Sequence, residues 1–206
     1  IDWSKLGFSY VETNCHIRYT WKDGSWDKGE LHTSPFINLH IAATALHYGQ
    51  AAFEGLKAFR NKKGEVNIFR QEMNAKRINS SARQIMMAEI PEELFAEALQ
   101  RVIKANLEFV PPYGTGASLY IRPLLIGSGP QIGVNPAKEY TFIILVTPVG
   151  AYYKGGLTPM KAIVIEDFDR AAPSGTGHVK LAGNYAASLL PHHQANSAGY
   201  PMELYL

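Results

Sequence analysis

Gly175-Thr-Gly177-His178-Val179-Lys180-Leu181-Ala182-Gly183-Asn184-Tyr185 is the stretch on which the reading of this chain turns. The small residues from Pro173 to Gly177 let the backbone turn tightly. Lys180 then stands between Val179 and Leu181, and Ala186 to Leu190 continue at helical spacing. A lysine just before a helix is most often a solvated surface residue. An apolar flank acts the other way, because it desolvates the ammonium and lowers its pKa, as a Schiff-base lysine requires. Local physics leaves these two readings level. The segment is no P-loop, since no Gly-Lys-Ser/Thr follows at the required spacing.

Outward from this stretch, the composition narrows the class. The 206 residues are 46% hydrophobic and 18% charged, enough apolar content for a folded core. Twenty basic and 18 acidic side chains give a net charge of +2, without a block of one sign, and nucleic acid is not expected as a partner. Cys15 is the only cysteine, so an internal disulfide and a thiolate zinc site are excluded. Tyr140 to Val149, the most apolar run, is too short to span a bilayer, and the first residues lack a signal pattern. A cytoplasmic protein with no membrane partner is the expectation.

The pattern along the chain predicts an α+β fold. Ile17 to Trp21 reads as a strand entering a turn at Lys22-Asp23-Gly24-Ser25, and Gly55–Arg60 with Val66–Phe69 reads as a hairpin. From Gln71, Ala75, Ile78, Ala82, Ile85 and Met86 form an amphipathic stripe. Pro91 opens a second helix with Glu92 and Glu93 in its first turn, its stripe is Leu94, Phe95, Ala98, Leu99, Val102 and Ile103, and Pro111-Pro112 is expected to stop it. Strands are predicted at Ala117–Ile126, Glu139–Val149 and Met160–Glu166. Gly127-Ser128-Gly129-Pro130-Gln131-Ile132-Gly133 misses the dinucleotide fingerprint by one residue and reads as a loop between strands. The expected division is a first domain at 1–149, a linker at 150–157, and the start of a second domain at 158–206. Met202 to Leu206 reads as a strand beginning, so the second domain is expected to be incomplete. No metal site is expected: His192 and His193 point about 100° apart on a helix, with no carboxylate partner evident, and solvent exposure is the simpler reading.

The opening stretch resembles the cofactor-lysine segment of the branched-chain amino-acid aminotransferases, of fold-type IV of the pyridoxal-phosphate enzymes. Four further stretches match in the family's order: Leu46–Phe59, Asn67–Arg70 through Asn74–Arg77, Leu119–Pro123 and Pro148–Tyr152. The resemblance implies a two-domain fold like that of D-amino-acid aminotransferase. It also implies a homodimer that carries pyridoxal 5'-phosphate and moves the amino group of L-leucine, L-isoleucine or L-valine to 2-oxoglutarate, and back, in branched-chain amino-acid biosynthesis.

The family's roles transfer to particular positions. Lys180 holds the cofactor and moves the proton; Arg77, with Arg70 as its nearby competitor, pairs with the phosphate; Tyr185 bonds the phenolic oxygen. Tyr120 and Arg122, two apart on a strand, face the substrate together, and Arg122 suits the distal carboxylate of glutamate or 2-oxoglutarate. Phe8, Tyr48 and Tyr152 match an aromatic wall for the branched side chain. Ile132 and Val134 match residues that reach the partner subunit's site. The carboxylate that pairs with the pyridinium nitrogen is expected beyond Leu206. A related fold-type IV enzyme (a D-amino-acid aminotransferase or an aminodeoxychorismate lyase) and a non-catalytic binding protein of the same fold are the alternatives.

Overall fold

A computed structural model describes residues 1–151, 159–172 and 174–206. Its strands are β1 (His16–Lys22), β2 (Ser25–Trp26), β3 (Glu30–His32), β4 (Ala51–Phe53), β5 (Leu56–Arg60), β6 (Val66–Ile68), β7 (Ser118–Gly127), β8 (Tyr140–Val149), β9 (Ala162–Ile165) and β10 (Met202–Tyr205). The helices are α1 (Thr44–Tyr48), α2 (Gln71–Gln84), α3 (Glu92–Ala105), α4 (Ala182–Ala186) and α5 (Leu189–Ser197). The α+β expectation holds. Strands β1 to β8 form one sheet in the order β2-β1-β8-β7-β5-β6, with β3 beside β1 and β4 beside β7. β9 and β10 pair in parallel in a second, two-stranded sheet. Tyr152 and most of the expected linker lie outside the described residues, as does Pro173.

The long antiparallel pair β7–β8 organises the main sheet, with Ile121 opposite Val146 and Gly127 opposite Tyr140. A strand sends alternate side chains to opposite faces, so Leu119, Ile121 and Leu125 enter the core with Phe142, Ile144 and Val146. Helices α2 and α3 cover this face with Ala75, Ile78, Ala82, Phe95, Ala98, Leu99 and Val102. Full burial of one such Leu or Phe contributes about 1.5–3 kcal/mol. The opposite alternation of β7 places Tyr120 and Arg122 on the other face, only partly buried.

Three local expectations are corrected. Met86 is not part of the α2 stripe: the helix ends at Gln84, Met86 adopts φ 54° and is 70% exposed, and Met87 takes the core place instead. Helix α3 ends at Ala105, before Pro111-Pro112, because the buried Asn106 turns its side chain back to the Val102 and Cys15 carbonyls. His192 does have a carboxylate partner: its Nδ1 lies 2.5 Å from Glu203 Oε1, which ties α5 to β10. Among the described residues no cluster of His, Cys, Asp and Glu suits a metal, and no helix is long and apolar enough to cross a membrane.

Candidate functional site

The loop before Lys180 is held by Asn184. Its amide donates to the carbonyls of Thr176 and Val179, and its oxygen accepts from the Thr176 hydroxyl. Gly177 is required here, since a Cβ would lie 2.3 Å from the Ala171 Cα. Val179 and Leu181 are buried, while Lys180 between them turns away from the core. The lysine's backbone is anchored on two elements. Its N–H donates to Ser81 Oγ of α2 at 2.9 Å, and its carbonyl accepts from the Phe53 N–H of β4 at 3.2 Å.

The Lys180 amine donates to the Tyr185 hydroxyl at 2.6 Å and lies 4.4 Å from the centre of the Phe53 ring. Phe53 in turn meets Tyr185 edge to face, at 4.8 Å between centroids. Burial pushes the Tyr185 hydroxyl pKa up, but the hydrogen bond and charge of Lys180, and then those of Arg170, outweigh it and the net direction is down. The Arg170 guanidinium lies over the Tyr185 ring at 4.9 Å.

Arg77 projects from α2, one turn before Ser81. Its Nε and Nη2 donate side-on to the Glu54 carboxylate, at 2.6 and 2.7 Å. Glu54 is fully buried and also accepts from Asn74 at 2.8 Å. Donation to Glu54 raises the Arg77 pKa, against an opposing effect of burial; the charge of Glu54 and then Tyr185 add smaller electrostatic contributions in the same upward direction. Nη1 of Arg77 has no hydrogen-bond partner among the described residues, and the side chain borders an open cleft with Phe69, Arg70 and Met73. Arg70 starts α2 at φ 51° and, among the described residues, its side chain pairs with Glu72 alone, at 3.8 Å.

Arg122 also meets Phe53: its Nε donates to the Tyr120 hydroxyl at 3.0 Å, and the guanidinium lies over the Phe53 ring at 4.8 Å. Those contacts account for the partial burial of Arg122 without an anion. Phe8 meets Tyr120 at 5.1 Å, brought there by a segment whose Gly7 carbonyl accepts from Gly150 and whose Val11 bonds Thr147 at the end of β8. Tyr48 is placed elsewhere. Its hydroxyl donates to the Ile132 carbonyl, near the Gly127 end of β7, and Ile132 and Val134 are 77% and 85% exposed.

The structure brings Lys180, Tyr185 and Arg122 to the Phe53 ring, Tyr120 to Arg122 and Phe8 to Tyr120, with Arg77 on Glu54 within electrostatic reach of Tyr185; Tyr48 joins Ile132. Phe53-Glu54-Gly55 lies inside the matching stretch Leu46–Phe59, without a role assigned from the sequence. The available signal was an acidic residue inside an otherwise apolar strand region, which needs a cation if buried. Arg170 and Ser81 carried no comparable signal.

A primary amine bonded to a phenol over an aromatic ring, with a guanidinium nearby that keeps one donor edge, defines a class by its chemistry: a polar site able to receive an anionic ligand. Comparison narrows it. The chain is 52% identical over 201 residues to the branched-chain-amino-acid aminotransferase of Haemophilus influenzae, spanning 98% of this chain and 58% of that protein. It is 50% identical over 207 residues to the Helicobacter pylori enzyme of the same name, spanning 100% and 61%. Its fold matches the Escherichia coli branched-chain amino acid aminotransferase with a TM-score of 0.71 at 29% identity, covering 91% of this chain and 59% of that one. A second branched-chain amino acid aminotransferase, solved with pyridoxamine 5'-phosphate, matches with a TM-score of 0.70 at 25% identity, covering 98% and 60%. No protein-family model matches the chain. The chain is a homologue of the branched-chain-amino-acid aminotransferases, and it spans about 60% of the length of the relatives it matches.

Proposed function

We propose that the protein transfers the amino group of L-leucine, L-isoleucine or L-valine to 2-oxoglutarate, and the reverse, with pyridoxal 5'-phosphate carried on Lys180. The observation that supports this reading most is the meeting of the Lys180 amine and the Tyr185 hydroxyl over Phe53, beside Arg77. The residues present fit the cofactor: an amine for the aldehyde, a phenol for the ring's phenolic oxygen, and the spare Arg77 edge for the phosphate. When bound, the cofactor supplies an electron sink for charge developing at the substrate α-carbon.

Lys180 moves the proton at that carbon as general base and acid, a role for which an unbranched amine in hydrogen-bond reach of a phenol is suited. Tyr185 orients the amine and shares its proton. Arg122 pairs with the distal carboxylate of glutamate or 2-oxoglutarate, where a guanidinium fork matches two oxygens. With branched side chains, Phe8 and Tyr120 supply apolar surface, joined in this reading by Tyr152.

The reading extends to a homodimer, in which the exposed Ile132 and Val134 meet the partner's site and Tyr48 braces their loop through the Ile132 carbonyl. It includes a cytoplasmic, biosynthetic role and a division into 1–149 and 158–206 about a linker at 150–157. The test is leucine-dependent formation of glutamate by the full-length protein with added pyridoxal 5'-phosphate, beside Lys180→Ala. Loss of both turnover and the bound cofactor's absorbance in the variant is expected. Near-normal turnover would remove the proposal.

A further inference from the structure

We propose that Glu54 is a positioning residue, whose buried carboxylate fixes the Arg77 guanidinium side-on so that its Nη1 edge is offered to the phosphate of the cofactor. The inference rests on the reading above and adds a residue to it. A fully buried carboxylate is costly unless its oxygens are bonded, and here both are: Nε of Arg77 donates to one at 2.6 Å, Nη2 to the other at 2.7 Å, with Asn74 adding a bond to the second. This geometry uses one edge of the fork and leaves the other.

Without an anchor, an arginine side chain more than half exposed has many rotamers to lose on binding an anion. Glu54 has the opposite character, because its place is set by the backbone. Its N–H donates to the Pro123 carbonyl at 2.8 Å, between Arg122 and the Leu124 side of β7, and the residue before it bonds the Lys180 carbonyl. One rigid segment, Phe53-Glu54-Gly55, therefore references the phosphate arginine to both the lysine and the substrate strand. The side-on pair also partly neutralises Arg77, so the gain for a phosphate lies in orientation and not in added charge. That distinction gives the inference its sign.

The test uses the full-length protein stripped of cofactor, titrated with pyridoxal 5'-phosphate and with pyridoxal, which lacks the phosphate, and followed by tryptophan fluorescence. For Glu54→Gln, affinity for pyridoxal 5'-phosphate is expected to fall about tenfold or more, while that for pyridoxal changes less than about twofold. Combined with Arg77→Ala, the losses are expected not to add. Arg77→Lys keeps an ion pair with Glu54 but lacks the fork, and is expected to lose the same phosphate preference even if Glu54→Gln fails to fold. Equal losses for both ligands, unchanged or tighter binding of the phosphate form, additive losses, or a fully competent Arg77→Lys would each overturn the role of Glu54. Wild-type protein binding neither ligand would instead remove the cofactor reading itself, so the two failures are distinguishable.

Discussion

The Lys180 amine and the Tyr185 hydroxyl share a hydrogen bond of 2.6 Å, across one turn of chain that Asn184 folds back on itself. Tyr185→Phe keeps the ring that packs on Phe53 but removes the acceptor. A hydrogen bond to a charged group is worth about 1.5–3 kcal/mol, so kcat/KM is expected to fall about 10- to 100-fold. Lys180 and Arg170 together lower the wild-type hydroxyl pKa. The alkaline limb of the pH–rate profile should therefore change in the variant as well. An unchanged rate and profile would show that the phenol is a packing group.

Arg77→Ala is expected to weaken cofactor retention about 10- to 100-fold, the range of a charge-assisted contact. Arg70→Ala should do much less, because the Arg70 pair with Glu72 is long, at 3.8 Å, and lies on the surface. Arg77→Ala also leaves the Glu54 carboxylate buried and short of two donors. A lower Tm is expected for that variant alone. Cofactor titration and thermal melts of both variants decide the assignment, and a more costly Arg70 would reverse it.

How far these residues were legible in the sequence depends on the range of the force involved. Tyr120 and Arg122 share a face because a strand repeats every two residues, and the α3 stripe follows from a helix repeat; both are local geometry. The lysine segment was legible from its motif. Glu54 was not, because a buried carboxylate is explained only by Arg77, 23 positions away on another element. Met86 and the end of α3 were misjudged for the same reason: the left-handed turn at Met86 and the Asn106 bonds to Cys15 are decided by packing against distant chain. Tyr48 shares with Phe8 a match to the family's aromatic wall, and its hydrogen bond to the Ile132 carbonyl is a further contact that the match did not reveal.

Arg122→Ala should harm reaction with glutamate or 2-oxoglutarate more than with leucine. Only the acidic substrates offer a second carboxylate, and a lost charge-assisted pair corresponds to about 10-fold or more in kcat/KM. Leucine presents an isobutyl group to the same place. Equal losses for both substrates would mean that Arg122 serves only to hold Tyr120 and Phe53.

Gly55→Ala tests the same pocket by steric means. A Cβ at Gly55 would lie 2.5 Å from the Tyr120 hydroxyl, well inside contact distance. The tip of Tyr120 must move, and with it the partner of Arg122 Nε. KM for 2-oxoglutarate is expected to rise with little loss of cofactor affinity, since Lys180 and Tyr185 are untouched. Unchanged KM would show that Tyr120 relaxes without disturbing Arg122.

The last prediction concerns pH and lies away from the site. His16 on β1 is buried, stacks on His32 at 5.5 Å and has Arg18 Nη2 3.0 Å from its Nε2. Burial first, then the charges of Arg18 and His32, push its pKa from 6.5 down to about 4. The folded-state value is below the unfolded one, so between these values the unfolded chain binds more protons than the folded one. Stability is therefore intact above about pH 6.5 and falls as the pH drops towards 4. Between pH 6.5 and 5, where most carboxylates are still ionised, the loss from this residue is about 1–2 kcal/mol. His16→Phe keeps a stacked ring that cannot take up a proton. Denaturant melts of both full-length proteins at pH 7.5, 6 and 5 should show a shallower decline in the variant, even if its stability at pH 7.5 is lower through loss of the Arg18 contact. Parallel declines would mean that His16 titrates as an ordinary histidine or that its charged form is accommodated in the fold.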